Sequence, residues 1–505
     1  MSDYLFALTI SPVQEFISQA KKSKDLFGGS KLLSDIIGKL KKEKLKDYEI
    51  IYPQSDKYVS NKIVFKISAN EEQINKLGDK LEEFVNNQFI NEIFTSFKCY
   101  EDSLRNFFNV YWVAIKCNGD YKETYNELEK RLFAIKNFRK NNKNSQNEDK
   151  KKCIACGERN QYFGKNDVYE RLCLVCATKR CYIIESPENK KFPSTAKVAL
   201  LDWIEKYIMS DSDLKNKYDD LQKKNKDFDE QWFFEYQDYK NKFSDKFYKF
   251  LEENIKNAKR EYVLIHLDID DLGKKLSELN MQGQKDLSQK LAYFAEKIEN
   301  IIDKNGKTIY AGGDDFLGFL NLSSLFNILE NIEKEKNILN EFNLTFSISL
   351  IIAHYRFPLH KVLEYSRNLM KEIKNSFDEK NGMGVIVLKQ SGVIAKSIYK
   401  KDFQKLLKEL VNKKIGANLY FKLSREFNYL DEFTFEEMLL QKEMIYSEIK
   451  RILKRSNKFD ENIYEGIKNL LSEQINRNYS NNYSFEIDNF YGFLKISEQL
   501  RGKCE

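Results

Sequence analysis

Histidine is nearly absent: 505 residues contain three, His266, His354 and His360. None is followed by aspartate, so a metal-dependent HD nuclease centre, which needs several His and Asp ligands, is not expected. Long apolar runs are missing too. The most apolar stretch, Ile348 to Ala353, has the length of a strand, whereas a membrane-spanning helix needs about 20 residues. The N-terminus, Met1-Ser-Asp-Tyr4, lacks the basic region that opens a secretory signal. These absences lead us to expect a soluble, cytoplasmic protein. No strong excess of one charge exists either: 84 basic against 77 acidic residues leave +7. That balance permits contact with a polyanion without demanding it, and a Lys-, Asn- and Tyr-rich composition explains it equally well. The eight cysteines do not form the pattern of a secreted disulfide framework, because four cluster while Cys99, Cys117, Cys181 and Cys504 stand apart. Clustering of this kind favours a metal site in a reducing compartment.

What is present can fill several cores. A chain of this length holds about three or four domains, and 42% hydrophobic with 14% aromatic residues can stabilise them. The stretch from Tyr262 to Phe319 organises the rest. Tyr262-Val-Leu-Ile-His-Leu-Asp-Ile-Asp-Asp-Leu-Gly273 begins as a buried strand and ends in Asp268, Asp270 and Asp271. Thr308-Ile-Tyr-Ala-Gly-Gly-Asp-Asp-Phe-Leu-Gly-Phe319 has a hairpin signal at Gly312-Gly313, with Asp314 and Asp315 on or just past it. Between them, Leu287, Leu291, Phe294, Ala295, Ile298, Ile301 and Ile302 recur at helical spacing. Strand, helix and hairpin would bring the two acidic clusters side by side.

Crowded carboxylates repel unless a cation neutralises them. Hard oxygen donors suit Mg²⁺ or Mn²⁺, which hold nucleotide phosphates and can flank an in-line phosphoryl displacement. Paired glycines would let the backbone approach a triphosphate. The plainer reading is a surface hairpin with Asp chosen for its turn propensity, but a preceding strand that also ends in carboxylates weighs against it.

Taken in order, residues 4–10 read as a strand and 12–45 as helical with a break at Gly28-Gly29. Residues 61–68 and 109–117 read as strands, and 70–96 and 120–139 as helices. This is an α+β unit of ferredoxin-like type with no acidic pair at its strand ends. Asn137 to Lys152 is polar and charged and reads as a linker. Cys153-x₂-Cys156, sixteen intervening residues and Cys173-x₂-Cys176 supply four soft thiolates for a closed, structural tetrahedral Zn²⁺; redox chemistry would need only one such pair. Residues 195–258 read as helices, and the charged run Asp211–Asp229 as a solvated face. From 259 the order is strand 262–268, helix 273–303, hairpin 307–320, helix 322–336, strand 344–354, helix 358–375 and strand 384–388. Beyond 393 the pattern is helical, with basic residues such as Arg451, Lys454 and Arg455 that suit a solvated surface or a partner.

These motifs carry a resemblance. Asp268-x-Asp270-Asp271-x-Gly273 followed by Gly312-Gly313-Asp314-Asp315 resembles the palm of the nucleotidyl cyclase and polymerase superfamily. Within it, the match is to the Cmr-type large palm subunit of type III CRISPR effector complexes. Leu5-Phe-Ala-Leu-Thr-Ile-Ser-Pro-Val-Gln-Glu-Phe-Ile17 with Asp25-Leu-Phe-Gly-Gly-Ser-Lys-Leu-Leu-Ser34 is similar to that family's opening. The four-cysteine cluster, and Ser347-Ile-Ser-Leu-Ile-Ile-Ala-His-Tyr355 with Pro358-Leu359, follow in the family's order. The resemblance covers roughly residues 1–390.

The expected fold class is therefore α+β: two ferredoxin-like palm (nucleotidyl cyclase-like) domains, a four-cysteine zinc module and helical domains. The expected domains are a non-catalytic palm-like domain (1–145), the zinc module (146–185), a helical domain (186–258), the catalytic palm (259–392) and a C-terminal helical domain (393–505).

The resemblance implies an RNA-guided antiviral subunit whose palm uses ATP and Mg²⁺ to make an adenylate second messenger, a cyclic oligoadenylate, when target RNA binds. Other effector subunits, guide RNA and target RNA would be its partners. Asp268, Asp315 and the Ile269 carbonyl would hold the metal, with Asp314 close by. Gly312 and Gly313 would admit the phosphates, and Lys374 would contact them or remain a solvated lysine. The acceptor pocket would draw on Gly28, Gly29 and Ser30, and His354 would end a strand near the site. Two further readings stay open: AMP joined to S-adenosylmethionine at the same site, and a nucleotide-binding scaffold without turnover. A free-standing diguanylate-cyclase-like enzyme fits less well, because the motif reads Asp-Asp-Phe where those enzymes place Glu before Phe.

Overall fold

Buried β-branched and aromatic runs set the two sheets. The computed structural model describes residues 2–97, 107–137, 151–163, 171–185, 192–225, 227–412, 419–426, 435–455, 459–476 and 487–504. The first unit contains strands β1 (Ser2–Ser11), β2 (Glu49–Tyr52), β3 (Lys62–Ala69) and β4 (Asn109–Lys116), with helices α1 (Gln14–Ser18), α2 (Ser23–Lys44), α3 (Glu71–Phe97) and α4 (Tyr121–Asn137). Its strand order is β2-β3-β1-β4, all antiparallel. Helix α5 (Leu174–Glu185) begins inside the second cysteine knuckle, and α6 (Thr195–Trp203), α7 (Ser212–Lys224), α8 (Gln231–Phe234) and α9 (Asp245–Asn254) form a small helical layer.

The second unit contains β5 (Glu261–Ile269), α10 (Leu272–Glu278), α11 (Met281–Ile302), β6 (Gly306–Ala311), β7 (Asp315–Asn321), α12 (Leu325–Lys334), α13 (Asn337–Asn340), β8 (Phe346–His354), α14 (Leu359–Ser376), β9 (Gly382–Lys389) and β10 (Gly392–Lys400). Its order is β10-β9-β8-β5-β7-β6, with β8 and β9 parallel. Helices α15 (Gln404–Asn412), α16 (Leu419–Glu426), α17 (Phe435–Lys454), α18 (Glu461–Asn476) and α19 (Ile487–Leu500) complete the chain. The β8-β5-β7-β6 core repeats the β4-β1-β3-β2 order of the first sheet. Both are βαββαβ units of ferredoxin-like type, so the fold is α+β with two palm-like sheets and helical regions.

Several details differ from the sequence reading. Helix α2 runs unbroken through Gly28-Gly29. The glycines there permit close packing: a Cβ on Gly28 would lie 2.3 Å from the Lys179 carbonyl oxygen of α5, and one on Gly29 2.8 Å from the Lys179 side chain. The expected helix 273–303 is two helices, with Asn280 capping the second by accepting from the Gly283 amide. Strand β2 was missed because it is four residues long and begins with Glu49. The helical reading beyond 393 also missed β10, which pairs antiparallel with β9 across a turn at Gln390-Ser391 and bears exposed residues alternating with partly buried ones at its start. Within the charged run at 211–229, residues 212–224 form α7, whose Leu214, Tyr218 and Leu221 are buried while its other face is solvated. Most of the expected linker, 138–150, and Cys99 lie outside the described residues.

The close approach of α2 to α5 makes a sharp test. Gly28→Ala should lower stability in thermal unfolding by about 2 kcal/mol. Gly38→Ala, whose Cβ would meet nothing nearer than 3.7 Å, should be neutral or gain up to about 1 kcal/mol from helix propensity.

Candidate active site between the two palms

Register places the acidic residues. Strand β5 lies between β7 and β8, and Asp268 is directly opposite Asp315 on β7 and Ser347 on β8. His266 is two residues earlier on β5, so its side chain shares the Asp268 face. Ligand atoms of His266, Asp268 and Asp315 all lie within 4.8 Å of one another. Two carboxylate charges that close repel by roughly 3 kcal/mol at an effective dielectric constant of about 20. The strain shows in the acid–base behaviour. Burial, with the charges of Asp315 and Asp268, raises the Asp314 carboxyl to about 6. Burial also raises Asp268, against the opposing pull of the Lys374 ammonium. Burial lowers His266, but the neighbouring Asp315 outweighs it and the net shift is upward.

Each acidic residue has a distinct setting. Asp268 pairs with Lys374, in the last turn of α14. Asp315 is hydrogen-bonded to His266 Nε2 at 2.9 Å. Asp270 is buried and accepts from Thr345 Oγ1 and Ser347 Oγ, both at 2.8 Å, and from the Asn381 amide at 3.0 Å; its carboxylate ties β5 to β8 and to the loop before β9. Asp271 adopts a left-handed φ of 53° and pairs with Lys380. Ile269 ends β5, and its amide donates to the Asp314 carbonyl at 2.9 Å, which fastens the hairpin to the central strand.

The hairpin differs from the turn expected at Gly312-Gly313. Neither glycine has a positive φ, and the Gly312 amide donates to the Asp315 carbonyl at 2.8 Å. Beside it, a cavity of about 150 Å³ opens between the two units. Gln14, Ile17, Leu26 and Asn61 line it from the first, and His266, Tyr310, Asp314, Asp315, Ser366 and Arg367 from the second. Arg367 Nη1 donates to Ser18 Oγ at 2.9 Å across this seam.

Not every expected residue reaches the cavity. Ser30 is buried within α2 and, with Gly28 and Gly29, is absent from the cavity wall; Leu26 is the part of α2 that lines it. The glycines face α5 instead. His354 is paired with Glu261, at the other end of β5 from Asp268, about 20 Å away along the strand. Strand β8 runs antiparallel to β5, so its last residue points away from the site, and His354 stacks on Tyr355. The strand pattern offers His266 as a core or near-site residue, and the structure places it in the cluster, two residues from Asp268 on the same face.

The cysteine module supports the cavity wall. Ligand atoms of Cys153, Cys156, Cys173 and Cys176 lie within 4.8 Å of one another. Hydrogen bonds among the thiols push Cys153 down and Cys173 and Cys176 up. The donor set suits one tetrahedral Zn²⁺, whereas the paired carboxylates at the palm suit Mg²⁺ or Mn²⁺. From α5, the Lys179 ammonium donates to the Phe16 carbonyl at 2.7 Å and to the Gln19 carbonyl at 2.5 Å, at the end of α1. Arg180 forms a buried two-pronged pair with Asp25 at 2.9 and 2.6 Å. Helix α1 thereby presents Gln14, Ile17 and Ser18 to the cavity.

Comparison with known proteins agrees with this architecture. Residues 261–384 match the Cas10/Cmr2 second palm domain, and residues 5–127 match the N-terminal domain of the CRISPR-associated protein Cmr2. The CRISPR system Cmr subunit Cmr2 of Pyrococcus furiosus is 26% identical over 432 residues, which cover 68% of this chain and 48% of that protein. The chain thus spans about half the length of this curated relative. Among solved structures, the apo type III-B Cmr-beta complex gives a TM-score of 0.67 at 14% identity, covering 99% of this chain and 82% of that one. Its state bound to cognate target RNA gives 0.62 with the same coverage and identity. The Csm1–Csm4 cassette with AMPPNP gives 0.51 at 12% identity, covering 99% and 70%. These structural likenesses establish the fold.

Metal analysis of the purified chain should find one zinc, retained in Asp314→Ala with Asp315→Ala and lost in Cys153→Ser with Cys156→Ser. A zinc-free parent protein would remove the structural-zinc reading.

Proposed function

Because the chain belongs to the Cas10/Cmr2 family, with that family's N-terminal domain and second palm, we propose that it is the large subunit of a type III RNA-guided effector complex and that its palm transfers adenylyl groups from ATP. The observation that carries this is the pairing of Asp268 with Asp315 across β5 and β7, with Asp315 and its neighbour Asp314 lining a cavity shared by both units. The partners follow from the family: the other effector subunits, guide RNA and target RNA. Adenine as the base, and a cyclic oligoadenylate as the product, rest on the resemblance, in line with the AMPPNP bound by the Csm1–Csm4 cassette.

Asp268 and Asp315, with the Ile269 carbonyl, would hold Mg²⁺ or Mn²⁺, which supplies charge neutralisation at the triphosphate and lowers the pKa of the attacking hydroxyl. Lys374 is paired with Asp268 here. With Asp268 engaged in holding a cation, that ammonium would be free to meet a phosphate oxygen. His266 holds Asp315 in place through its Nε2. Asp314 borders the cavity, where its carboxylate can orient the acceptor. The acceptor hydroxyl gives up its proton to solvent and attacks the α-phosphorus, the bond to the bridging oxygen breaks, and pyrophosphate leaves.

One observation favours a second acceptor. Among the described residues, Arg367 has a hydroxyl partner, Ser18, and no ion pair. A cation so placed in the cavity wall suits an acceptor that carries a carboxylate, as S-adenosylmethionine does.

Mass spectrometry of products from the assembled complex, given ATP, Mg²⁺ and matching target RNA, tests the proposal. Adenylate rings from ATP alone would mark a cyclase; a product bearing one AMP that forms only with S-adenosylmethionine would mark the conjugating reaction. Asp314→Ala with Asp315→Ala should lower product by at least about 100-fold, equivalent to about 3 kcal/mol, with assembly intact. Full activity in that variant would move the site elsewhere, and no product from the parent complex would leave a scaffold.

A further inference from the structure

The two glycines before Asp314 need an explanation, since neither has a φ that excludes other residues. Their surroundings provide one. A Cβ on Gly312 would lie 2.1 Å from the Tyr310 hydroxyl oxygen. A Cβ on Gly313 would lie 2.8 Å from the Tyr52 hydroxyl oxygen and 3.6 Å from the ring carbon that bears it. Tyr310 belongs to the same hairpin, but Tyr52 comes from β2 of the first unit.

Tyr52 cannot retreat easily. It is 4% exposed, and β2 with the segment that follows it is held by both units. Within its own sheet Tyr52 pairs with Val64. Against the second unit, the Gln54 amide donates to Ser288 Oγ of α11 at 2.8 Å. The Tyr58 hydroxyl donates to Glu299 of α11 at 2.6 Å, joined by the Lys57 ammonium at 2.7 Å. The seam that joins the units therefore ends in a tyrosine hydroxyl pressed on the backbone that carries Asp314.

We propose that Tyr52 is a positioning residue for adenylyl transfer: its hydroxyl, seated against the Gly313 Cα, sets the acidic hairpin from the first unit, and Gly313 is glycine to receive it. This rests on the transferase reading above. The first unit, whose described strands bring no two carboxylates face to face, thereby fixes where Asp314 and Asp315 stand relative to Asp268.

The alternative cause of a glycine here, room for a phosphate, gives the opposite result in a double-mutant cycle. If phosphate needs the space, a Cβ at 313 obstructs it whatever stands at 52. If Tyr52 is the cause, Tyr52→Phe removes the 2.8 Å contact and leaves 3.6 Å, an ordinary van der Waals distance. Pyrophosphate release by the assembled complex, with ATP, Mg²⁺ and target RNA, would be compared in the parent, Tyr52→Phe, Gly313→Ala and the double variant. Thermal unfolding of the same chains would be followed in parallel. We expect Gly313→Ala to lose at least tenfold in kcat and to unfold at a lower temperature, and the double variant to return to within about threefold of Tyr52→Phe in rate, with its unfolding temperature restored. Equal loss in Gly313→Ala and the double variant would overturn the proposal, and so would an unimpaired Gly313→Ala. A parent complex that releases no pyrophosphate would instead refute the transferase reading, and the positioning role with it; the unfolding cycle would still report whether Tyr52 seats on Gly313.

Discussion

Two carboxylates face each other across β5 and β7, and much of the structure serves to keep them there. Asp268 and Asp315 are brought together by strand register, the least adjustable feature of a sheet, because a slip of one residue would turn every side chain to the other face. Three hydrogen bonds to Asp270 and the Ile269–Asp314 backbone bond fix the two chain segments that carry them. The protein meets the repulsion locally with Lys374 and His266. A bound divalent cation would meet it with more charge at shorter range.

The first unit contributes walls and restraint. Its sheet has the strand order of the second but no two carboxylates facing each other across its strands, and its use lies at the seam. Tyr52 presses on the hairpin, α1 lines the cavity, and the cysteine module fastens α1 through Lys179 and α2 through Arg180 and the Gly28-Gly29 contact. A buried ammonium with two carbonyl acceptors is costly to break, since its removal leaves those carbonyls unsatisfied. The module therefore ties chain segments that are far apart in sequence to one face of the cavity.

Much of this was legible in the sequence, for identifiable reasons. Strands β5 and β7 and the acidic clusters could be read because a buried central strand is an apolar run with an abrupt polar end. The four cysteines could be read because ligand spacing is local. What stayed hidden depends on long-range packing. Gly28-Gly29 looked like a helix break and a ligand pocket, when its cause is a helix some 150 residues later in the chain. Gly312 and Gly313 read as a hairpin turn, which they occupy, but the tyrosine hydroxyls that a Cβ on either would meet come from packing that the sequence does not display. His354 looked close to the site because a strand end was equated with the active end; the antiparallel partner reverses that. Short β2 and the polar-faced β10 are too brief or too exposed to stand out from their surroundings.

Manganese binding tests the central claim most directly. Electron paramagnetic resonance of the purified chain titrated with Mn²⁺ reads the palm site without requiring turnover, target RNA or nucleotide. Saturable binding that weakens at least tenfold in Asp268→Asn and in Asp315→Asn, with zinc content unchanged, is the predicted result. Binding that neither substitution alters would mean that the paired carboxylates do not hold the cation, and the reading of the site would fail.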